Sequence, residues 1–205
     1  DTKGGSAGWA SIGASMARAQ FAGRTEAKLG ANTQIGKTAA VGAFDLTASD
    51  SSSAKASALA GAAGVLAGSG ADAKATVSSH VEASSGSGSA IAASDDVSVL
   101  ASATPQAEAN ALGVNLSIGG SVGASLADAR SATTVIAALG SANQIDSKNL
   151  NVKAARKLGA APSALAKATG ASGGLLLGVN ATVAKAESTG VTSAQAGVDS
   201  TLTVS

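Results

Sequence analysis

One recurring triplet constrains this chain more than any other feature. An apolar–polar–apolar run followed by small residues reads Phe44-Asp45-Leu46-Thr47-Ala48. It returns as Val97-Ser98-Val99-Leu100-Ala101, as Leu150-Asn151-Val152-Lys153-Ala154, and as Leu202-Thr203-Val204-Ser205. The steps from Phe44 to Val97, to Leu150 and to Leu202 are 53, 53 and 52 residues. A second anchor keeps a similar period. Ile12-Gly13-Ala14-Ser15-Met16-Ala17-Arg18-Ala19 matches Val122-Gly123-Ala124-Ser125-Leu126-Ala127-Asp128-Ala129 two repeats on. Gly70-Ala71-Asp72-Ala73-Lys74-Ala75 stands between them, and Val179-Asn180-Ala181-Thr182-Val183-Ala184-Lys185-Ala186 follows. A third anchor runs Ala58-Leu59-Ala60-Gly61, Ala111-Leu112-Gly113, Ala168-Thr169-Gly170.

Three anchors in one order define a repeat whose unit is too small to bury its own apolar face and must stack on its neighbours. The expected organisation is a single repetitive segment of nearly four degenerate copies, at about 1–48, 49–101, 102–154 and 155–205. Variation in the spacing belongs in loops. The chain opens at Asp1 without a signal peptide and closes inside the fourth triplet, so it reads as a fragment of a longer protein.

Within each repeat the period is two. Ala54-Lys55-Ala56-Ser57-Ala58, Ala71-Asp72-Ala73-Lys74-Ala75, Ala107-Glu108-Ala109-Asn110-Ala111 and Ala184-Lys185-Ala186-Glu187 alternate small with polar. That is the strand pattern, with Ala facing in and charge facing out. The rival is an Ala-rich helix, since Ala is the best helix former. A helical face needs apolar residues at i, i+3, i+4 and i+7, and these charges sit every second residue instead. The most helix-like stretch, Lys153 to Lys167, carries Pro162 inside it. Turns rich in Gly, Ser, Asn and Asp separate the strands, among them Ser94-Asp95-Asp96, Asp50-Ser51-Ser52-Ser53 and Gly140-Ser141-Ala142-Asn143.

Composition then decides the cross-section. About a quarter of the 205 residues are Ala and 26 are Gly, while aromatics make up 1% and charged residues 13%. With one Trp, two Phe, one Met and no Tyr, nothing is available to fill a wide core. Stacked coils lie about 4.8 Å apart, and small inward residues let facing walls approach closely. The expected fold is therefore all-β: a parallel β-solenoid, or β-helix, flattened in section, with about one coil per 52–57-residue repeat. Right-handed winding follows from the preference of parallel crossovers. Phe44, Leu46, Val97, Val99, Leu150, Val152, Leu202 and Val204 should form its interior ladders.

The repeated Gly-Ala-Ser-(Met/Leu)-Ala-x-Ala and Leu-x-Val-x-Ala motifs resemble the repeat regions of very large bacterial filamentous adhesins, of the filamentous-haemagglutinin and leukotoxin-type kind. The counterparts here are residues 122–129, 133–145, 150–154 and 164–170, and the likeness covers essentially the whole chain. The resemblance implies a secreted, cell-surface, non-catalytic protein with a β-helical shaft, and it transfers no catalytic or binding residues. No secretion domain or anchor accompanies it.

Other chemistry finds little support. The net charge of +1 is scattered, so no basic patch suits nucleic acid. The longest apolar run, Leu175-Leu176-Leu177, falls far short of the roughly 20 residues of a membrane helix. The absence of Cys excludes disulfides and thiolate metal sites. His80, the single His, has Ser and Asp near it in sequence, but its plain role is a solvated surface side chain. No metal or cofactor is expected. Calcium is the one ion left open, through Asp95-Asp96 and the single Gly68-Ser69-Gly70-Ala71-Asp72, although turn chemistry explains those residues equally well. Gly61-Ala62-Ala63-Gly64 and Gly119-Gly120-Ser121-Val122-Gly123 lack the Lys and helix of a phosphate loop. Asn115-Leu116-Ser117 and Asn180-Ala181-Thr182 match the glycosylation sequon, and Thr133, Thr134, Thr201 and Thr203 raise an ice-ordering ladder without recurring at one place per repeat.

The expected function is thus the structural shaft of an extracellular filament or bacterial surface adhesin, mediating cell–cell or cell–surface attachment without catalysis. Its partners would be neighbouring coils or copies of the same protein and a cell-surface or glycan ligand. The alternative is a carbohydrate-binding or polysaccharide-degrading β-helix, against which the shortage of aromatic platforms counts.

Overall fold

The computed structural model describes residues 1–204; Ser205, the last residue of the fourth triplet, lies outside the described residues. The described residues are all-β, 81% strand and 0% helix. Its strands in order are β1 (Thr2–Leu29), β2 (Gln34–Ile35), β3 (Phe44–Ser85), β4 (Ala90–Ala92), β5 (Asp96–Ser117) and β6 (Gly120–Leu139). They continue as β7 (Gln144–Ser147), β8 (Asn149–Arg156), β9 (Ala164–Gly174), β10 (Leu177–Ala196) and β11 (Thr201–Val204). The helix-like stretch from Lys153 is strand as far as Arg156, then irregular, then strand again from Ala164. Alternation outweighed Ala's helix propensity, because the strand period puts runs such as Ala54, Ala56, Ala58 and Ala60 together on the buried side.

Every pairing is parallel. A seven-stranded sheet runs β10-β6-β3-β5-β8, with β1 on β3 and β9 on β5, and curls into a nearly closed, barrel-like wall. A four-stranded sheet runs β11-β7-β4-β2. The anchors stand in register. Ala58, Ala111 and Ala168 are neighbours across the sheet, and so are Ile12, Gly68, Val122 and Val179. β3 folds over near Val65 and Leu66: up to Gly64 it lies beside β5, and from Ala67 it lies beside β6.

Spacing irregularities fall between strands. Ala103 pairs with Arg156 and Ala107 with Ala164, so the stretch 157–163 holds four residues more than its neighbour 104–106. Pro105 sits opposite that excursion and Pro162 inside it. Proline has no N–H for the ladder, and the outward loop leaves it no partner there to disappoint.

The interior is tapered. At one end Val81, Val97, Val99, Ile91, Val135, Leu139 and Ile145 form a buried cluster closed on a third side by the short sheet, with Phe44, Leu46, Leu150 and Val152 packed against it. Further along, two walls of Ala meet: Ala54, Ala56, Ala58 and Ala60 with Ala71, Ala73 and Ala75, and Ala107, Ala109 and Ala111 with Ala127 and Ala129. Beyond the Ala, the inward positions become mostly Gly and Ser, with Asn115 among them, and the walls touch. A Cβ added to Gly113 would stand 2.7 Å from Ser125 Oγ and 3.2 Å from Ser69 Oγ. Side-chain volume thus falls from Val and Ile to Ala to Gly as the space narrows, which is close packing expressed in sequence.

Candidate functional site

The most constrained polar site is a corner where each long strand turns into the short sheet. Four turns share it, at 30–33, 86–89, 140–143 and 197–200. Each begins with a glycine, namely Gly30, Gly86, Gly140 and Gly197. A Cβ on Gly140 would lie 2.6 Å from the carbonyl carbon of Gly86, so the backbones approach too closely for any side chain there. Two residues on, the backbone is left-handed in every turn: φ is 56° at Asn32, 72° at Gly88, 56° at Ala142 and 56° at Asp199. Then comes a polar residue that ties one turn to the next. Ser89 Oγ donates to Gly30 O at 3.1 Å, the Ser89 N–H donates to Asn143 Oδ1 at 2.8 Å, and Ser200 Oγ donates to Gly140 O at 3.3 Å. Two residues beyond stands an apolar residue in register across the short sheet: Ile35, Ile91, Ile145 and Leu202. Sequence reasoning missed this ladder, yet its signal was present as Gly-x-x-polar-x-(Ile/Leu) at 30, 86, 140 and 197.

The expected interior ladder divides in two. Phe44, Val97 and Leu150 are register partners, as are Leu46, Val99 and Val152. Val97 and Val99 are fully buried. Leu202 and Val204 belong elsewhere and are corrected here. They pair with Ile145 and Ser147 in the short sheet and are exposed. The 52-residue step from Leu150 matched the triplet by composition, whereas the register that the backbone adopts is the 57-residue step from Ile145 to Leu202.

His80 lies in a charged cluster on the outer face where β1 and β3 pair. Glu26 and Glu82 are register neighbours, as are Arg24 and His80. His80 Nε2 is 3.2 Å from Glu82 Oε2, Ser84 Oγ donates to Glu82 Oε1 at 2.9 Å, and Lys28 Nζ lies 3.3 Å from Glu26 and 3.5 Å from Glu82. Arg24 pairs with Glu26. Partial burial pushes the Glu82 carboxyl up, but the hydrogen bonds from His80 and Ser84 and the charge of Lys28 outweigh it and hold it below the usual range. Glu26, His80 and Glu82 could each offer one ligand atom to a cation, within 4.8 Å of one another, though Arg24 and Lys28 already meet those carboxylates. His80 and Ser84 both bond Glu82 rather than each other, so the cluster lacks the hydroxyl–imidazole bond of a nucleophile and its base.

The Asp95-Asp96 pair, offered for calcium, faces the following repeat. Lys148 Nζ bonds Asp95 Oδ1 at 3.0 Å and Asn149 Nδ2 bonds Asp96 Oδ1 at 2.8 Å. The hydrogen bond and charge of Asp95 push the Lys148 ammonium up. Of the sequons, Asn115 is buried and donates to Val122 O at 2.9 Å, so the folded chain hides it. Thr133 is fully buried, and Thr201 and Thr203 neighbour Gln144 and Asp146 rather than other Thr. The Gly-rich runs are strand and turn, without a helix N-terminus to receive phosphate. Two open grooves carry polar side chains on a mainly apolar lining. One of about 390 Å³ crosses the short sheet over Gln34, Lys37, Gln144, Asp146 and Thr203. The other, of about 740 Å³, runs beside Glu108, Asn110 and Lys167.

Compared with protein-family models, with curated proteins and with solved structures, the chain matches none of them.

Proposed function

We propose that the chain is a stretch of flattened parallel β-solenoid, one coil per repeat, that serves as the structural shaft of an extracellular filament or surface adhesin. The observation that carries this reading is the in-register stacking of segments 53 to 57 residues apart, seen in the row from Ala58 to Ala111 to Ala168 and the row from Ile12 to Val179. A chain that repeatedly returns beside itself builds hydrogen bonds along one axis, and such a stack resists unfolding as cross-β packing does. Right-handed winding is the expected sense. Placement on a bacterial surface rests on the resemblance of the two repeat motifs to filamentous adhesins. Tethers between repeats fit a load-bearing role: Lys55–Glu108 at 3.0 Å, Lys148–Asp95 at 3.0 Å, and the Ser89–Asn143 bond at 2.8 Å.

Cryo-electron microscopy of the native material tests the reading. Tapes with an axial spacing of about 4.8 Å support it. Discrete particles without that spacing overturn it and favour the carbohydrate-binding alternative. The groove beside Glu108, Asn110 and Lys167 would then be the place to test with polysaccharides.

A further inference from the structure

The strand polarity inverts at the narrow end. In β1, Ser11 and Ser15 are buried while Ile12 is 84% and Met16 57% exposed; in β6, Ser121 and Ser125 are buried while Val122 is 62% and Leu126 47% exposed. A half-buried strand normally does the reverse. Val122 and Leu126 lie in a strand flanked on both sides, by β3 and β10, so their exposure is no effect of a sheet edge. No charged residue occurs in 4–17, 56–71, 109–127 or 168–184. These four segments meet at that end.

We propose that the outer face formed here by β1, β3, β6 and β10 binds a second copy of this chain, side by side, about a two-fold axis. This deepens the filament reading by naming the lateral partner. Three observations select this occupant. The first is area. At the exposures found, the apolar residues of the face sum to on the order of 800 Å², the share one partner contributes to a standard interface and above the roughly 300–600 Å² of an ordinary largest patch. The second is relief. Gly68 leaves a trough between Ile12 and Val122, opening into a groove of about 330 Å³; past Gly70 the trough is closed by Asp72, which stands between Met16 and Leu126. Ridge and trough share the strand spacing, so an identical face turned by a two-fold axis can seat its ridge in the trough. The third is the rim. Asp72 stands beside Met16 and Leu126, the next row runs Arg18, Lys74, Asp128 and Lys185, and the one after it holds Arg130 and Glu187. A rim of both signs can pair with its own copy, whereas its four cations against three acids leave an anionic membrane a net charge of only one to attract.

The test is sedimentation equilibrium of the 205-residue chain over micromolar concentrations. The expected result is a species of two chains. Val122→Lys and Leu126→Lys should each weaken it by about tenfold or more, while Gln144→Lys, on the short sheet, leaves it unchanged. Because the chain has no cysteine, a single one placed at Ala124 should cross-link two copies, and one placed at Gln144 should not. Circular dichroism checks that each variant keeps its strands. A wild-type chain that stays monomeric overturns the proposal, as does a dimer indifferent to Val122→Lys. Flotation of a monomeric chain with phosphatidylcholine vesicles would overturn it in favour of lipid. Single, unpaired tapes in the microscope sink this proposal and leave the shaft reading standing, whereas compact particles that still pair through this face do the opposite.

Discussion

The side chain of Asn143 receives the backbone N–H of Ser89, 54 residues earlier, at 2.8 Å. Its amide group donates back to Gly140 O at 2.9 Å and to Ser85 Oγ at 3.1 Å. The residue is 1% exposed, so water cannot replace these bonds. Asn143→Ala should cost about 1–3 kcal/mol, the penalty of stranding buried backbone groups. Urea denaturation checks it. Asn143→Asp, which keeps the acceptor for Ser89 but sets a buried carboxylate against the Gly140 carbonyl, should cost at least as much as Asn143→Ala.

The neighbouring Ala142 holds φ at 56°, a region that costs a residue with a Cβ roughly 1–2 kcal/mol. Glycine occupies the matching place at Gly88. Ala142→Gly should raise stability by about 0.5–1 kcal/mol after its extra unfolded-state entropy is counted. Gly140→Ala should do the opposite, because its Cβ would stand 2.6 Å from the Gly86 carbonyl carbon. Thermal melts of both variants separate the two effects.

Val99 is fully buried between Leu46 and Val152. Val99→Ala removes two methyl groups and leaves a cavity, a loss of about 1.5–3 kcal/mol. Val99→Asp should be worse, since its carboxylate would be buried without a partner. Leu202→Asp, at an exposed position of the short sheet, should change stability little. A Val99→Asp chain that keeps full protease resistance would remove the basis for the interior ladder.

Acid should weaken the ties between repeats. The hydrogen bonds from Lys55 and Asn110 hold the Glu108 carboxyl low against the opposing effect of burial, and Glu82 is held low as well. A carboxyl whose folded pKa is depressed contributes stability above its unfolded value, about 4.3, and loses that contribution as pH falls through the folded one. Stability should therefore be level at neutral pH and decline below about pH 4.5. Glu108→Gln should flatten part of the decline. Its cost at pH 7 should be about 0–1 kcal/mol, as for partly exposed ion pairs.

Much of this architecture was written in the order of residues. Strand alternation follows from period-two patterning, because a strand sends successive side chains to opposite faces. Ala54 to Ala60 and Ala71 to Ala75 could therefore be assigned inward from sequence, and the anchors at Ala58, Ala111 and Ala168 fixed which residues become neighbours. Three features were decided only in three dimensions. Leu202 looked like the partner of Leu150, since a leucine alternating with a valine carries no address; the backbone register, set by the close glycine contacts at the corner, assigns it to Ile145. The corner ladder stayed hidden because its polar member changes from Thr33 to Ser89 to Asn143 to Ser200. What these residues share is a backbone geometry and a hydrogen-bonding role rather than an identity. The inverted face around Val122 was unreadable for a related reason. Alternation states that Ser121 and Val122 face opposite ways, but which side is inside depends on the fold-over near Val65 and Leu66, where the walls come so close that mostly Gly, Ala and Ser, with Asn115, fill the inside.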